Sequence, residues 1–183
     1  AILAFNGDVY RGLDAMTMDE ETLEFAQNHV RILSGLYGIL RPFDGIHPYR
    51  LEMGTRLDTD RGTNLYAFWG TKLSELLNDD CETWGDTTIL NLASQEYSKA
   101  VNRKALNSTL IDVTFKERKN GKSKVISFYA KYARGRMARW VCDNKITSPA
   151  DLPAFNMDDY EINPSESSET SLVFERPQPE PKS

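Results

Sequence analysis

Histidine and cysteine are scarce in this chain of 183 residues, with two of each. His29 falls in a stretch of helical spacing and His47 precedes Pro48. Neither has a carboxylate or cysteine at ligand spacing, so no metal site is expected. Cys81 and Cys142 lie far apart without a C-x-x-C, which fits free thiols in a reducing cytosol better than a disulfide framework. A buried free cysteine is expected over a redox sensor, because reactivity needs a lowered thiol pKa. No apolar run of about 18 residues occurs, which excludes a membrane-spanning helix from the reading. A P-loop, a G-x-G-x-x-G turn and a nucleophile elbow are all missing, and there are no internal repeats. No cofactor is expected, and a non-enzymatic role is favoured over an enzyme.

Charge is plentiful but unevenly spread. The chain carries 22 Lys/Arg and 27 Asp/Glu, a net −5. From Tyr97 to Lys145 the count is 13 Lys/Arg against 3 Asp/Glu, and the remainder holds 9 against 24. An isoelectric point near 5.1 averages over two opposite regions. Encounter depends on the local field, because screening removes charges beyond about 10 Å at ordinary salt. The densest element is ISFYAKYARGRMARW (126–140), where Lys131, Arg134, Arg136 and Arg139 occur without an acid among them. Tyr129, Ala130, Tyr132, Ala133, Met137 and Trp140 interleave them. A concentrated cationic element on an acidic protein is expected to meet an anionic partner.

The opening AILAF reads as a buried strand ended by the turn Asn6-Gly7-Asp8. A core strand without a preceding turn is expected of a chain that begins mid-fold, so an N-terminal segment is expected to be missing. Thr17 and Glu20 form a capping-box pattern ahead of a helix bearing Leu23, Ala26, Val30 and Leu33, with Gly35 as its stop. Asn64 caps a second helix carrying Leu65, Phe68, Trp69, Leu73, Leu76 and Leu77 on one face. Residues 87–92 read as a strand and Ser94 as the cap of a short helix. Residues 110–118 and 122–128 form a hairpin across Asn120-Gly121, the strongest short-range hairpin signal. The basic helix then runs over 129–143.

Two further stretches are candidates for chemistry. Residues 33–54 place Ser34, Gly35 and Gly38 between an amphipathic helix and a second one, the outline of a helix-hairpin-helix. Glycines there would let backbone N–H groups approach a phosphate. Arg41, Tyr49, Arg50 and Glu52 follow. Residues 91–101 set Asn91, Ser94, Glu96, Tyr97 and Lys99 just after a strand, where ligands often sit.

Seven stretches, in order, resemble the YaaA family of bacterial peroxide-stress proteins: GDVYRGL (7–13), LSGLYGILRPFD (33–44), PYRLEMG (48–54), LYAFWG (65–70), NLASQEY (91–97), ISFYAKYARGRMARW (126–140) and LVFER (172–176). The family's opening Ser-Pro-Ala-Lys strand is absent here. This resemblance implies a cytoplasmic protein that limits oxidative damage during peroxide stress, through control of free iron and protection of DNA. It also implies binding of double-stranded DNA through a basic cleft. Carried onto this sequence, the DNA-binding hairpin falls on Ser34, Gly35 and Gly38. The cleft charge falls on Arg41, Arg50, Lys99, Lys131, Arg134, Arg136 and Arg139.

The expected fold is mixed α/β (α+β). It has one compact domain over residues 1–162, with a mixed sheet, a helix-hairpin-helix-like element and a basic helix following a β-hairpin. Residues 163–183 are expected to be a mostly disordered acidic, Pro-rich tail with a short edge strand near 172–175. Phosphate contact is expected to dominate, since few Asn or Gln accompany the basic residues for base readout. The alternative is an enzyme or binding protein for a small anionic ligand such as a nucleotide in the same cleft, lined by Arg41, Tyr49, Arg50, Glu52, Asn91, Tyr97 and Lys131, with Glu52 or Glu96 as acid/base activated by burial. A basic face meeting an acidic protein is a third reading.

Overall fold

A computed structural model describes residues 1–85 and 87–180. In chain order the elements are α1 (Asp8–Leu13), α2 (Glu20–His29), β1 (Ile32–Ser34), β2 (Gly38–Leu40), α3 (Leu65–Trp69) and α4 (Lys72–Trp84). β3 (Thr88–Asn91), α5 (Gln95–Ser98), β4 (Thr109–Lys119), β5 (Lys122–Lys124), α6 (Ser127–Asp143), β6 (Glu161–Ile162) and β7 (Ser171–Pro177) follow. The fold is mixed α/β with a mixed sheet, as expected. Backbone contacts divide the chain into two compact units, one of residues 1–5 and 26–110, the other of residues 6–25 and 111 onward.

In the first unit, residues 1–5 form a turn instead of the expected strand. Ala4 N–H returns to the Ala1 carbonyl, while Ile2 N–H donates to Pro42 and its side chain is buried. Helix α2 ends at His29, short of Gly35. Arg31 explains the stop: its Nη1 donates to the carbonyls of Val30 and Asn28 at 2.9 and 3.1 Å, covering acceptors that a helix end leaves bare. β1 and β2 pair antiparallel, Ile32 with Leu40 and Ser34 with Gly38. The glycine hairpin between two helices is therefore built of strands, and its next helix, α3, begins only at Leu65. Asn64 caps α3 as expected, accepting from Ala67 N–H at 2.9 Å. Gly70 at φ +53 breaks the predicted long helix into α3 and α4. Met53, Leu65, Trp69, Leu73 and Ala100 form this unit's core.

The second unit begins at α1. Asp19, not Thr17, caps α2 by accepting from Thr22 N–H at 2.8 Å. The sheet centres on β7, which runs parallel to β4 from Asp112↔Ser171 to Arg118↔Pro177. β6 pairs antiparallel on its other side, Ile162 with Phe174. The run expected to be an edge strand in a disordered tail is thus an inner strand. Leu172, Val173 and Phe174 are successive and all buried, so β7 is covered on both sheet faces. Among the tail's last residues, 181–183 lie outside the described residues.

Phe115, Phe155, Tyr160 and Phe174 make an aromatic core, with ring centroids 5.0 Å apart for Phe115 and Tyr160. Trp140 of α6 meets Phe155 edge-on at 5.7 Å. Beside this core Glu117 is fully buried, accepting from the Tyr160 hydroxyl at 2.5 Å. Burial, then the neighbouring Glu117, pushes the Tyr160 phenol up, which keeps it a donor. The Arg176 guanidinium lies over the rings of Tyr160 and Tyr129, at 4.4 and 5.1 Å. The β4–β5 hairpin turns at Asn120 (φ +52) and Gly121 (φ +73), the two left-handed positions of a type I′ turn. Glu117 pairs with Lys124 and Lys119 with Lys122.

Candidate nucleic-acid interface

Of the ten predicted contact residues, six lie in the first unit and four on α6 in the second. Ser34 is fully buried. Its hydroxyl accepts from Tyr37 N–H at 2.9 Å and Leu36 N–H at 3.2 Å, and lies 2.5 Å from the Tyr49 hydroxyl. The turn's donors are thereby engaged by its own serine. Both glycines are packing requirements as well. A Cβ on Gly35 would stand 2.6 Å from the Leu51 carbonyl, and one on Gly38, at φ +79, would stand 2.8 Å from the Trp69 ring. Trp69 Nε1 donates to the Gly35 carbonyl at 3.1 Å, locking the turn to α3.

The cations of this unit differ in freedom. Arg41 and Arg31 both grip Asp80, each at 2.5 Å. Burial raises the Asp80 carboxyl, but hydrogen bonds and charge from Arg31 and Arg41 outweigh it, leaving it below its usual range. Arg50 is open to solvent, 3.9 Å from Glu52. Lys99 places its ammonium 4.9 Å from the Tyr66 ring centre. Glu52 and Glu96 are both exposed, so the burial expected to activate an acid/base carboxylate is not found. Glu96 accepts from Gly54 N–H at 2.8 Å. Burial and Glu96 both push the Tyr97 and Tyr66 phenols up.

On α6 most of the arginine charge is already spoken for. Arg139 donates to Thr17 Oγ1 at 2.7 Å and to the Asp14 carbonyl at 2.9 Å, and pairs with Asp143 at 2.7 Å. Arg136 pairs with Asp158 at 3.1 Å. Arg134 is half-buried and donates to the Ala130 carbonyl at 3.1 Å; desolvation pulls its guanidinium pKa down. Lys131 is exposed. Among the described residues, neither Arg134 nor Lys131 is held in an ion pair.

Three further lysines lie on the hairpin that precedes α6 in the chain. Lys119, Lys122 and Lys124 on the β4–β5 hairpin are exposed, and among the described residues none is in an ion pair. Their signal was present in RKNGKSK: lysines on both sides of an Asn-Gly turn project from a hairpin tip that the core cannot reach. In-register partners share a sheet face, so Lys119, Lys122 and Lys124 project to the face of Glu117. Among the described residues no group of three or more His, Cys, Asp or Glu is placed to hold a metal, and no helix is long and apolar enough to cross a membrane.

A family model described as "Peroxide stress protein YaaA" matches residues 1–166. The chain belongs to this family. A UPF0246 protein of Caulobacter vibrioides (strain NA1000 / CB15N) is 54% identical over 179 residues, 98% of this chain and 70% of that protein. A UPF0246 protein of Maricaulis maris (strain MCS10) is 54% identical over 179 residues, 98% of this chain and 68% of its own length. The matched residues include the first unit and part of the second.

Proposed function

We propose that this YaaA-family chain works in the cytoplasm during peroxide stress, limiting oxidative damage through free-iron control and protection of DNA, and that it binds double-stranded DNA through phosphate contacts. The observation that carries the binding is the division of charge in the second unit. Arg136 and Arg139 are neutralised by Asp158 and Asp143, while Lys119, Lys122, Lys124, Lys131 and Arg134 have no ion-pair partner among the described residues. Lysines on flexible stems meet phosphates as point charges without reading sequence.

Titration of labelled duplex into the full chain at several salt concentrations tests this. Neutralising about four or five phosphates gives a slope of log K against log salt near −4. Lys119→Ala/Lys122→Ala/Lys124→Ala should flatten the slope by about 2 to 3, near 0.9 for each lost contact. Wild-type affinity and slope in that variant would remove the hairpin from the interface.

A small anionic ligand is the second reading, and a specific feature favours it. Lys99 and Arg103 flank an open depression lined also by Gln95, Ser98 and Val101. A saturating thermal shift by one nucleotide, abolished by Lys99→Ala, supports that reading; no shift by any nucleotide counts against it.

A further inference from the structure

Three large apolar side chains stand in solvent at one end of the second unit: Val125 at 54% exposure, Phe128 at 57% and Tyr132 at 37%. Phe128 and Tyr132 are one turn apart on α6, and Lys131 lies three residues from Phe128 on the same flank. Residues 125–126 join this turn directly to β5, which carries Lys122 and Lys124. Sheet register puts those lysines on the face of Glu117 and of its parallel partner Arg176. Arg176 in turn lies under the Tyr129 ring of α6. The start of α6 and the lysine row therefore share one side of the sheet.

We infer that this surface binds nucleic acid with unpaired bases, Phe128 and Tyr132 stacking on bases while Lys122, Lys124 and Lys131 hold the flanking phosphates. The inference rests on the proposed nucleic-acid function and names a substrate form for it. Duplex bases hide their faces in the stack, so exposed rings gain nothing from an intact duplex beyond what lysines supply. A single strand offers a π-face at every nucleotide. An anionic bilayer would also attract lysines and apolar groups. Insertion of a helix into a bilayer needs an apolar face along its length, however, and the apolar face of α6 is taken: Ala130, Ala133 and Met137 are buried in the unit. Phe128 and Tyr132 alone are the exposed large apolar side chains of α6, enough for two bases.

The test measures binding of the full chain to a labelled single strand and to the duplex of the same sequence, for wild type, Phe128→Ala/Tyr132→Ala and Phe128→Leu/Tyr132→Leu. Thermal melts confirm that the variants fold, which the exposure of both rings favours. Leucine keeps the apolar area but removes the π-face, so it separates stacking from greasy contact. Both variants should lose about thirtyfold in single-strand affinity, the low end of stacking for two bases, with duplex affinity changed less than about threefold, since phosphate contacts dominate there. Wild-type single-strand affinity in either variant overturns the inference, as does capture of the wild type by phosphatidylserine vesicles in place of the oligonucleotides. If the wild type binds duplex but the rings prove silent, only this inference falls. If it binds neither form, the proposed function falls and takes this with it.

Discussion

Replacing Gly135 with alanine puts the packing of the second unit to a quantitative test. α1 and α6 cross so closely that each offers a glycine to the other's backbone. A Cβ on Gly135 would lie 1.9 Å from the Val9 carbonyl oxygen and 2.8 Å from Leu13 N; a Cβ on Gly12 would lie 2.2 Å from the Tyr132 carbonyl oxygen. These are backbone atoms, so no side-chain rotation relieves the clash. Ordinary contact begins near 3.4 Å, so α1 must retreat by about 1.5 Å. A gap of that size forfeits more than half of the dispersion attraction around the crossing, where Leu13, Ala133 and Met137 are buried. Overpacking of this kind costs about 3 kcal/mol at the upper end of its usual range. Alanine returns about 1 kcal/mol in helix propensity over glycine. The net is a loss of about 2 kcal/mol, or about 4–8 °C in melting temperature for a protein of this size. Gly45→Ala is the matched control, because nothing lies within 4 Å of its Cβ; it should be neutral or slightly stabilising. Circular dichroism melts of the three proteins decide the matter. A Gly135→Ala variant as stable as wild type would refute the reasoning, because it would mean that the crossing is looser than the structure has it. Gly12→Ala added to Gly135→Ala should cost less than it does alone, since the helices have already parted.

Two other perturbations have a defined sign. Cys142 is fully buried, and burial, reinforced by Asp143, pushes its thiol up to about 12, so peroxide or a thiol reagent at neutral pH should modify the partly exposed Cys81 first; native-state labelling of Cys142 at the rate of Cys81 would contradict this. The Asp80 carboxyl lies below its ordinary 3.8, so its contribution to stability is complete above that value and is lost as pH falls through the lower folded-state pKa. Asp80→Asn should therefore flatten the acid side of the stability profile below about pH 4, where the unfolded carboxyl titrates; equal slopes in the two proteins would sink the claim.

What could be read from the sequence was local. Asn64 and Ser94 sit next to the helices they cap, and the Asn120-Gly121 turn dictates its own hairpin, because each signal and its consequence lie within three residues. Where a longer-range partner decides, the reading failed. AILAF has the composition of a strand but is paired with none among the described residues, and the Ile2 N–H finds the Pro42 carbonyl instead. Thr17 looked like a cap, yet its hydroxyl is committed to Asp14 and to Arg139, the latter 122 residues away, leaving the role to Asp19. β7 looked like an edge in a polar tail because its sequence gives no hint of β4 on one side and β6 on the other.

In the candidate interface too, partners distant in sequence decide which cations are engaged within the fold. In ARGRMAR the arginines carry the most conspicuous charge, but a guanidinium is planar, weakly hydrated and suited to bidentate internal contacts, so a folded chain consumes it readily. Arg139 bridges to Thr17, Arg136 to Asp158, and Arg41 to Asp80. Ammonium groups are strongly hydrated, so Lys119, Lys122, Lys124 and Lys131 remain in solvent. A count of basic residues therefore does not separate the cations engaged within the fold from those without an ion-pair partner among the described residues. Arg136 and Arg139 fix α6 against its neighbours in the second unit, whereas Arg134 and these lysines have no ion-pair partner among the described residues. Removing Arg136 or Arg139 should consequently lower the melting temperature, whereas removing the hairpin lysines should leave it unchanged, so only the second kind of variant tests the proposed DNA contact without a loss of stability.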